Sequence, residues 1–245
     1  MLYLRRKKSL SVNPRILFIF ISSFLSLLAQ SQRDLYREDQ VNKPYYFGIT
    51  LSGASFRFHT ELHESFLEQD SILVAEPQNS PALSVRLLAA MRLNERFELR
   101  FTPGLIFGER RIAYTLKYKE FDQGLAVSKN VESVIITFPL NLKFKSDRIG
   151  NFGVYMMGGG KLDYDLASNA NARKADDMIK IGKMDYGIEA GLGFNFYRKI
   201  VTISPEIKIS NGLKNLHARD VNLKYSSVID RIQSRMIVFS LFLEG

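Results

Sequence analysis

Cysteine is absent from the 245 residues. That excludes disulfides, thiolate metal sites, a cysteine nucleophile and the acylated cysteine of a lipoprotein anchor. Tryptophan is absent as well, and histidine occurs only at His59, His63 and His217. Outside the amino-terminal segment, no apolar run approaches the roughly 20 residues that a spanning helix needs. Phosphate-loop chemistry is missing too: Gly158-Gly159-Gly160 lacks the Lys-Ser/Thr and the helix that would follow it. The stretch His59-Thr60-Glu61-Leu62-His63-Glu64 sets two imidazoles four apart, which share a face only on a helix. Its order is not His-Glu-x-x-His, so the metalloprotease arrangement fails. A solvated, partly helical loop is the preferred reading there.

What is present is a folded, greasy, mildly basic chain. Hydrophobic residues make up 46%, with 18 Phe and 11 Tyr, enough apolar surface to exclude disorder. The net charge is +9. Arg5, Arg6, Lys7, Lys8 and Arg15 supply five of those charges from the first segment. The remainder shows no basic stripe interleaved with aromatics, so no nucleic-acid partner is expected.

The amino terminus has the layout of a secretory signal peptide: basic, then apolar, then small. Arg5–Lys8 leads into an apolar core from Ile16 to Leu28, followed by Ala29-Gln30-Ser31. Cleavage is expected after Ser31, which leaves a periplasmic leader, 32–44, and a body, 45–245. An uncleaved anchor is the alternative, but the core is short for one.

From Tyr45 onward the hydrophobic period is two, in segments of about ten residues, the pattern of a membrane barrel. Eight segments follow. Phe47, Ile49 and Leu51 alternate with Gly48, Thr50 and Ser52 in the first, and Leu83, Val85 and Leu87 with Ser84, Arg86 and Leu88 in the second. The third sets Phe97, Leu99 and Phe101 against Glu98, Arg100 and Thr102. The fourth sets Phe138, Leu140 and Leu142 against Thr137, Asn141 and Lys143. Val154 and Met156 face away from Tyr155 and Gly159 in the fifth, and Ile188, Leu192 and Phe194 away from Glu189 and Gly191 in the sixth. The seventh and eighth repeat this with Ile207 and Ile209, then Phe239 and Leu241. A one-residue slip would put charge in lipid, so each register is well determined. Short connections follow segments two, four and six, and long ones of roughly 20 residues follow the others, as in outer-membrane barrels. The expected fold is therefore an all-β, closed, eight-stranded antiparallel transmembrane barrel of the bacterial outer membrane. Pro103, Pro139 and Pro205 fall inside strands, where a ladder hydrogen bond is lost, and bulges or strain are expected at them.

A water-soluble barrel would have to bury Arg86, Arg92, Arg100, Lys143, Lys161 and Lys208 together with Glu98, Asp163, Asp185, Glu189 and Glu206, at high cost. In a small membrane barrel these eleven residues face the lumen, where they can pair. An eight-stranded lumen is just filled by side chains, so they read as a structural ionic plug and not as a pore lining. No catalytic, cofactor-binding or metal-binding residue is assigned. A lipid-modifying enzyme using His59 or His63 with Ser55 or Ser65 remains an alternative; no serine sits in a nucleophile elbow. Asp176-Asp177 reads as a solvated turn. Apolar residues in the expected loops (Phe66, Leu67, Ile72–Val74, Leu213, Leu216, Val221, Leu223) point equally to self-packing and to a partner.

Several stretches carry a family resemblance. Tyr46-Phe47-Gly48-Ile49-Thr50-Leu51, Pro81–Arg86, Leu99-Arg100-Phe101-Thr102-Pro103-Gly104-Leu105 and Ile136-Thr137-Phe138-Pro139-Leu140-Asn141-Leu142-Lys143 resemble the PorT family of Bacteroidota. Gly187–Gly193 and Ile203–Lys208 do likewise, and the strand prolines recur in that pattern. The phrases F-x-P-G-L and T-F-P-L-x-L-K are shared with the wider outer-membrane barrel superfamily of that phylum. The resemblance implies an integral outer-membrane part of the type IX secretion system, serving protein export and, in gliding species, motility. It implies no enzymatic activity and no catalytic residues. The implied partners are outer-membrane lipid and other secretion proteins. A generic surface barrel with an adhesive or stabilising role is the alternative.

Overall fold

The period-two segments form strands throughout. The computed structural model describes residues 43–67, 72–118, 125–168, 181–218 and 228–245, all within one unit, Tyr36–Gly245. The expected signal segment, most of the leader, and Asp176-Asp177, Val221 and Leu223 lie outside the described residues.

The elements are β1 (Tyr45–Leu62), a 3₁₀ turn (Glu64–Leu67), β2 (Ile72–Gln78), β3 (Ser80–Arg92), β4 (Phe97–Phe101), β5 (Gly104–Leu116), β6 (Ala126–Lys145), β7 (Phe152–Asp165), β8 (Met184–Tyr197), β9 (Thr202–Gly212) and β10 (Ile229–Glu244). β2 and β3 make one stave, broken only at Asn79, and β4 and β5 make another, broken at Thr102-Pro103. The ten strands are thus eight staves. Their order is β1, β10, β9, β8, β7, β6, β4/β5 and β3/β2, every neighbour antiparallel, and β1 pairs with β3 to close the ring. Gly48 shows the closure directly, opposite Glu244 on one side and Leu88 on the other. A closed ring leaves no edge of unpaired backbone groups, which hydrocarbon requires.

The faces sort as a lipid-facing barrel demands. Phe138 and Leu192 are 45% and 56% exposed, whereas Arg100 and Lys143 are 2% and 1% exposed. Along β4 and β5 the apolar outward residues run from Phe97 to Phe107. At about 3.4 Å per residue and a tilt of about 40°, that spans roughly 25 Å of the membrane normal. Aromatic pairs ring the lower edge: Phe97–Phe144 at 5.1 Å, and Phe152 against Phe194 and Phe196 at 5.8 and 5.3 Å.

Above this band the faces invert. Outward positions turn polar: Arg57, His59 and Glu61 on β1, Glu109 and Arg111 on β5, Ser128, Asn130 and Glu132 on β6. Inward positions turn apolar. Phe58, Ile112, Tyr114, Leu116, Val131 and Ile232 form a buried cluster with Ile181, Leu216 and Val228 from the connections. The staves project past the membrane as a wall with an ordinary apolar core.

The structure corrects the sequence reading here. The connections after the first and third staves are only 63–71 and 117–125, because β1, β2, β5 and β6 run on well above the band. Apolar-outward alternation marks a strand only where lipid lies outside, and that signal stops at the band edge. His59 therefore lies on β1, not in a partly helical loop, and among the described residues helical structure is confined to Glu64–Leu67. Ile72–Val74 likewise belong to β2.

The prolines differ too. Register is continuous through Pro139 and across the Pro103 break, with no bulge at either. The Pro103 carbonyl accepts from Leu87 N at 2.9 Å, and the Pro139 carbonyl from Thr102 N at 3.2 Å. Each proline loses only the bond it cannot donate. The register shifts that do occur lie near the rim, at Glu61/Leu62 and Ile72/Val74.

The inversion gives a paired test. Leu192→Arg, inside the band, should cost about 2–4 kcal/mol of unfolding free energy in a bilayer. Thr115→Arg, outward but above the band, should stay within about 0.5 kcal/mol of wild type. Urea titration of the folded protein in vesicles measures both.

Candidate functional site

Inward positions of all eight staves converge on one filled lumen. Its cations are Arg86, Arg92, Arg100, Arg110, Lys143, Lys145, Lys161 and Lys208. Its carboxylates are Glu98, Asp163, Asp165, Asp185, Glu189, Glu206 and Glu244. The structure brings together all eleven residues expected there from the alternation. It adds Arg110, Lys145, Asp165 and Glu244, which the sequence reading missed. The same period would have found them: 98, 100 and 110 lie on one parity, as do 143 and 145, and 163 and 165. The assignments stopped at the edges of the apolar band.

The network is layered. At the periplasmic end Glu98 is the hub, with Lys145 at 2.6 Å, Arg92 at 3.2 Å and Lys143 at 3.7 Å. The Tyr46 hydroxyl donates to the same carboxylate at 2.7 Å. One step up, Arg100 pairs with Glu244 and, at 3.4 Å, with Glu206, while the Tyr155 hydroxyl donates to Glu206 at 2.9 Å. The guanidinium of Arg100 also lies 5.1 Å from the Tyr155 ring centre and 4.8 Å from that of Phe242. Next come Lys208–Glu189 and Lys161–Asp163, each at 2.6 Å. Asn141 donates to Glu189 at 3.2 Å and Ser234 donates to Asp185 at 2.5 Å. At the top Arg110 pairs with Asp165 at 2.5 Å, its guanidinium 5.0 Å from the Phe58 ring centre, directly beneath the apolar cluster.

Arg86 stands apart. Among the described residues its guanidinium donates only to Ser84, at 3.1 and 3.2 Å, and to Ser52 at 3.5 Å. Every other lumen cation has a carboxylate partner.

Backbone shape makes room for the large groups. A Cβ on Gly193 would sit 2.3 Å from Cζ of Tyr155, so that ring lies across a bare stretch of β8. Gly158–Gly160 are a piece of strand β7, not a loop.

Strand geometry separates one of the histidine pairings. On β1, Ser55 and His59 are four residues apart along a strand, which is about 13 Å, beyond hydrogen-bond reach. His63 lies beyond the end of β1, so the two imidazoles do not share a helical face. Among the described residues no cluster of three His, Asp or Glu groups is placed to hold a metal. The lumen arrangement can fill and brace. Two free spaces along it, one beside Asp163 and Asp185 and one beside Glu98 and Lys145, hold only about 20 and 30 Å³.

A family model described as outer membrane protein beta-barrel domain matches residues 28–218. The chain belongs to that family. Its place is the bacterial outer membrane. No curated protein matches it. Among solved structures, OprG of Pseudomonas aeruginosa is similar, at 10% identity and a TM-score of 0.47, covering 81% of this chain and 93% of its own. Neisserial surface protein A aligns at 9% identity and 0.41, covering 80% and 96%. Ail of Yersinia pestis aligns at 9% and 0.37, covering 83% and 100%.

Two substitutions test the lumen of this outer-membrane barrel. Glu98→Gln removes the carboxylate that Lys145, Arg92 and Lys143 share, leaving Lys143 only Glu244, and should lower unfolding free energy by about 3 kcal/mol. Adding Lys145→Gln should recover part of the loss, and urea unfolding in micelles reads both. Gly193→Ala should cost more than Gly53→Ala, because a Cβ at Gly53 meets nothing within 4 Å.

Proposed function

We propose that this barrel is a non-conducting, non-enzymatic scaffold of the outer membrane, and that it serves the type IX protein secretion system. The observation that carries the scaffold reading is the filled lumen, ion-paired along its length and closed above by an apolar cluster. A barrel that passes nothing through its middle must act through its surfaces. Two are available: the polar wall that rises above the membrane, and the leader, whose Lys43 carbonyl is held by Arg92 at the periplasmic mouth. The secretion role rests on the resemblance of the strand motifs to the PorT family. Other secretion proteins are the partners that this reading requires.

A second reading is an adhesive or envelope-stabilising surface barrel. The charged outer face of the upper wall favours it, because such a face suits contact with material outside the cell.

Deleting the gene separates the two. Loss of bulk protein export with an otherwise intact outer membrane is the result expected for a secretion component. Normal export would end that reading and leave the surface barrel. The scaffold reading has its own check. The purified protein in a planar bilayer should give no steady conductance, and stable channel openings would overturn it.

A further inference from the structure

Arg57 on β1 and Arg235 on β10 stand directly opposite one another in antiparallel register. Both are exposed on the outer wall. Opposed residues of an antiparallel pair have Cα atoms only about 5 Å apart, and like charges so placed destabilise the sheet. Among the described residues neither guanidinium has a carboxylate partner. The neighbouring exposed arginine differs: Arg231 faces Glu61 at 4.0 Å. The flanking outward positions are neutral or basic. Ser55 and His59 lie along β1, Gln233 along β10, and Asn211 opposite Arg235 on β9.

The pair does not lie on a flat wall. Ser55, Arg57, His59, Asn79 and Arg235 line a concavity of about 500 Å³ whose lower edge is Ile237. Ile237 is also the uppermost apolar outward residue of β10, above Phe239 and Leu241. On β1, Leu51 and Gly53 lie just below Ser55. The two arginines therefore sit at the height where acyl chains give way to headgroups, on the side of the long connections.

We propose that Arg57 and Arg235 form a binding site for the phosphate of an outer-leaflet lipid headgroup. A phosphate between two guanidinium forks takes parallel charge-assisted hydrogen bonds from each. It also cancels the like-charge repulsion that the register builds in. Ser55, His59 and Asn79 supply further polar contacts for the sugar or glycerol that carries the phosphate. The acyl chains of the same lipid run down past Ile237 and Phe239. The site needs only the barrel and its register, so it stands or falls separately from any role in secretion.

The test uses the full chain in detergent micelles doped with a bis-phosphorylated glucosamine-disaccharide lipid, or with the same lipid after phosphatase treatment. Native mass spectrometry counts the lipid retained. The wild type should hold the phosphorylated lipid at least tenfold better than the dephosphorylated one. The Arg57→Gln/Arg235→Gln pair should lose about tenfold of that retention. Arg57→Lys/Arg235→Lys should fall between, since charge remains and the fork does not. Arg231→Gln should behave as wild type, and inorganic phosphate should not compete.

Stability gives an independent reading with a change of sign. Without anionic lipid, Arg235→Gln should raise the urea midpoint of the folded barrel. With the phosphorylated lipid present, the wild type should be the more stable. Equal retention by wild type and the double Gln variant would overturn the proposal. So would an equal loss in Arg231→Gln, competition by free phosphate (an adventitious ion only), or no reversal of the stability order.

Discussion

Ions sealed inside a barrel of this size are held by counter-ions within the same lumen, Arg86 excepted, and most of the structure follows from that pairing. Removing a charged group from water costs several kcal/mol unless a partner and hydrogen bonds replace the lost hydration. Glu98 meets the requirement for three cations at once, and Glu206 and Glu244 meet it for Arg100. These partners come from β3, β4, β6, β9 and β10, so those staves cannot shift against one another without breaking a pair. The aromatic rings of Tyr46, Tyr155 and Phe242 fill the space between the ions and accept the cations on their faces. Gly193 is bare because Tyr155 needs its volume. Lumen packing and lumen electrostatics are here one constraint.

The same staves then satisfy the opposite constraint a few residues higher. Where water replaces lipid outside, the outward side chains become charged and the inward ones become Phe, Ile, Tyr and Val. Arg110 marks the change on β5. It is the last inward ion of that stave, paired below to Asp165 and covered by Phe56 and Phe58. Two cores of opposite polarity are thus stacked along one barrel. The lower is held by ion pairs and hydrogen bonds, the upper by burial of apolar surface. The upper core also excludes water from the top of the ion network, which strengthens every pair beneath it.

The lower half was legible in the sequence. Alternation such as Phe138, Leu140 and Leu142 against Thr137, Asn141 and Lys143 is unambiguous when one face meets hydrocarbon, and it located eleven of the inward ions. The upper half was not. On β1, Phe56 and Phe58 point in while Arg57 and His59 point out, which is the alternation of an ordinary soluble strand. With the membrane rule in mind, that phase reads as the end of the strand. The prolines misled in the other direction. A strand that misses one donated bond keeps its register when its carbonyl is still used, as at Pro103 and Pro139. The pairing of Arg57 with Arg235 needs the register between strands far apart in the chain, which no local pattern carries.

The ring is shut by strands that stand at opposite ends of the described chain. Ser52 on β1 hydrogen-bonds Ser240 on β10 across 188 positions of sequence. β10 also delivers Glu244 to Arg100 and Lys143. Until that strand docks, neither backbone closure nor charge balance is complete, and a half-built sheet would carry bare cations as well as open edges into the bilayer. One strand thereby completes both closure and charge balance, through contacts of long sequence separation, which form slowly. A barrel that has closed offers no free edge from which unzipping could start.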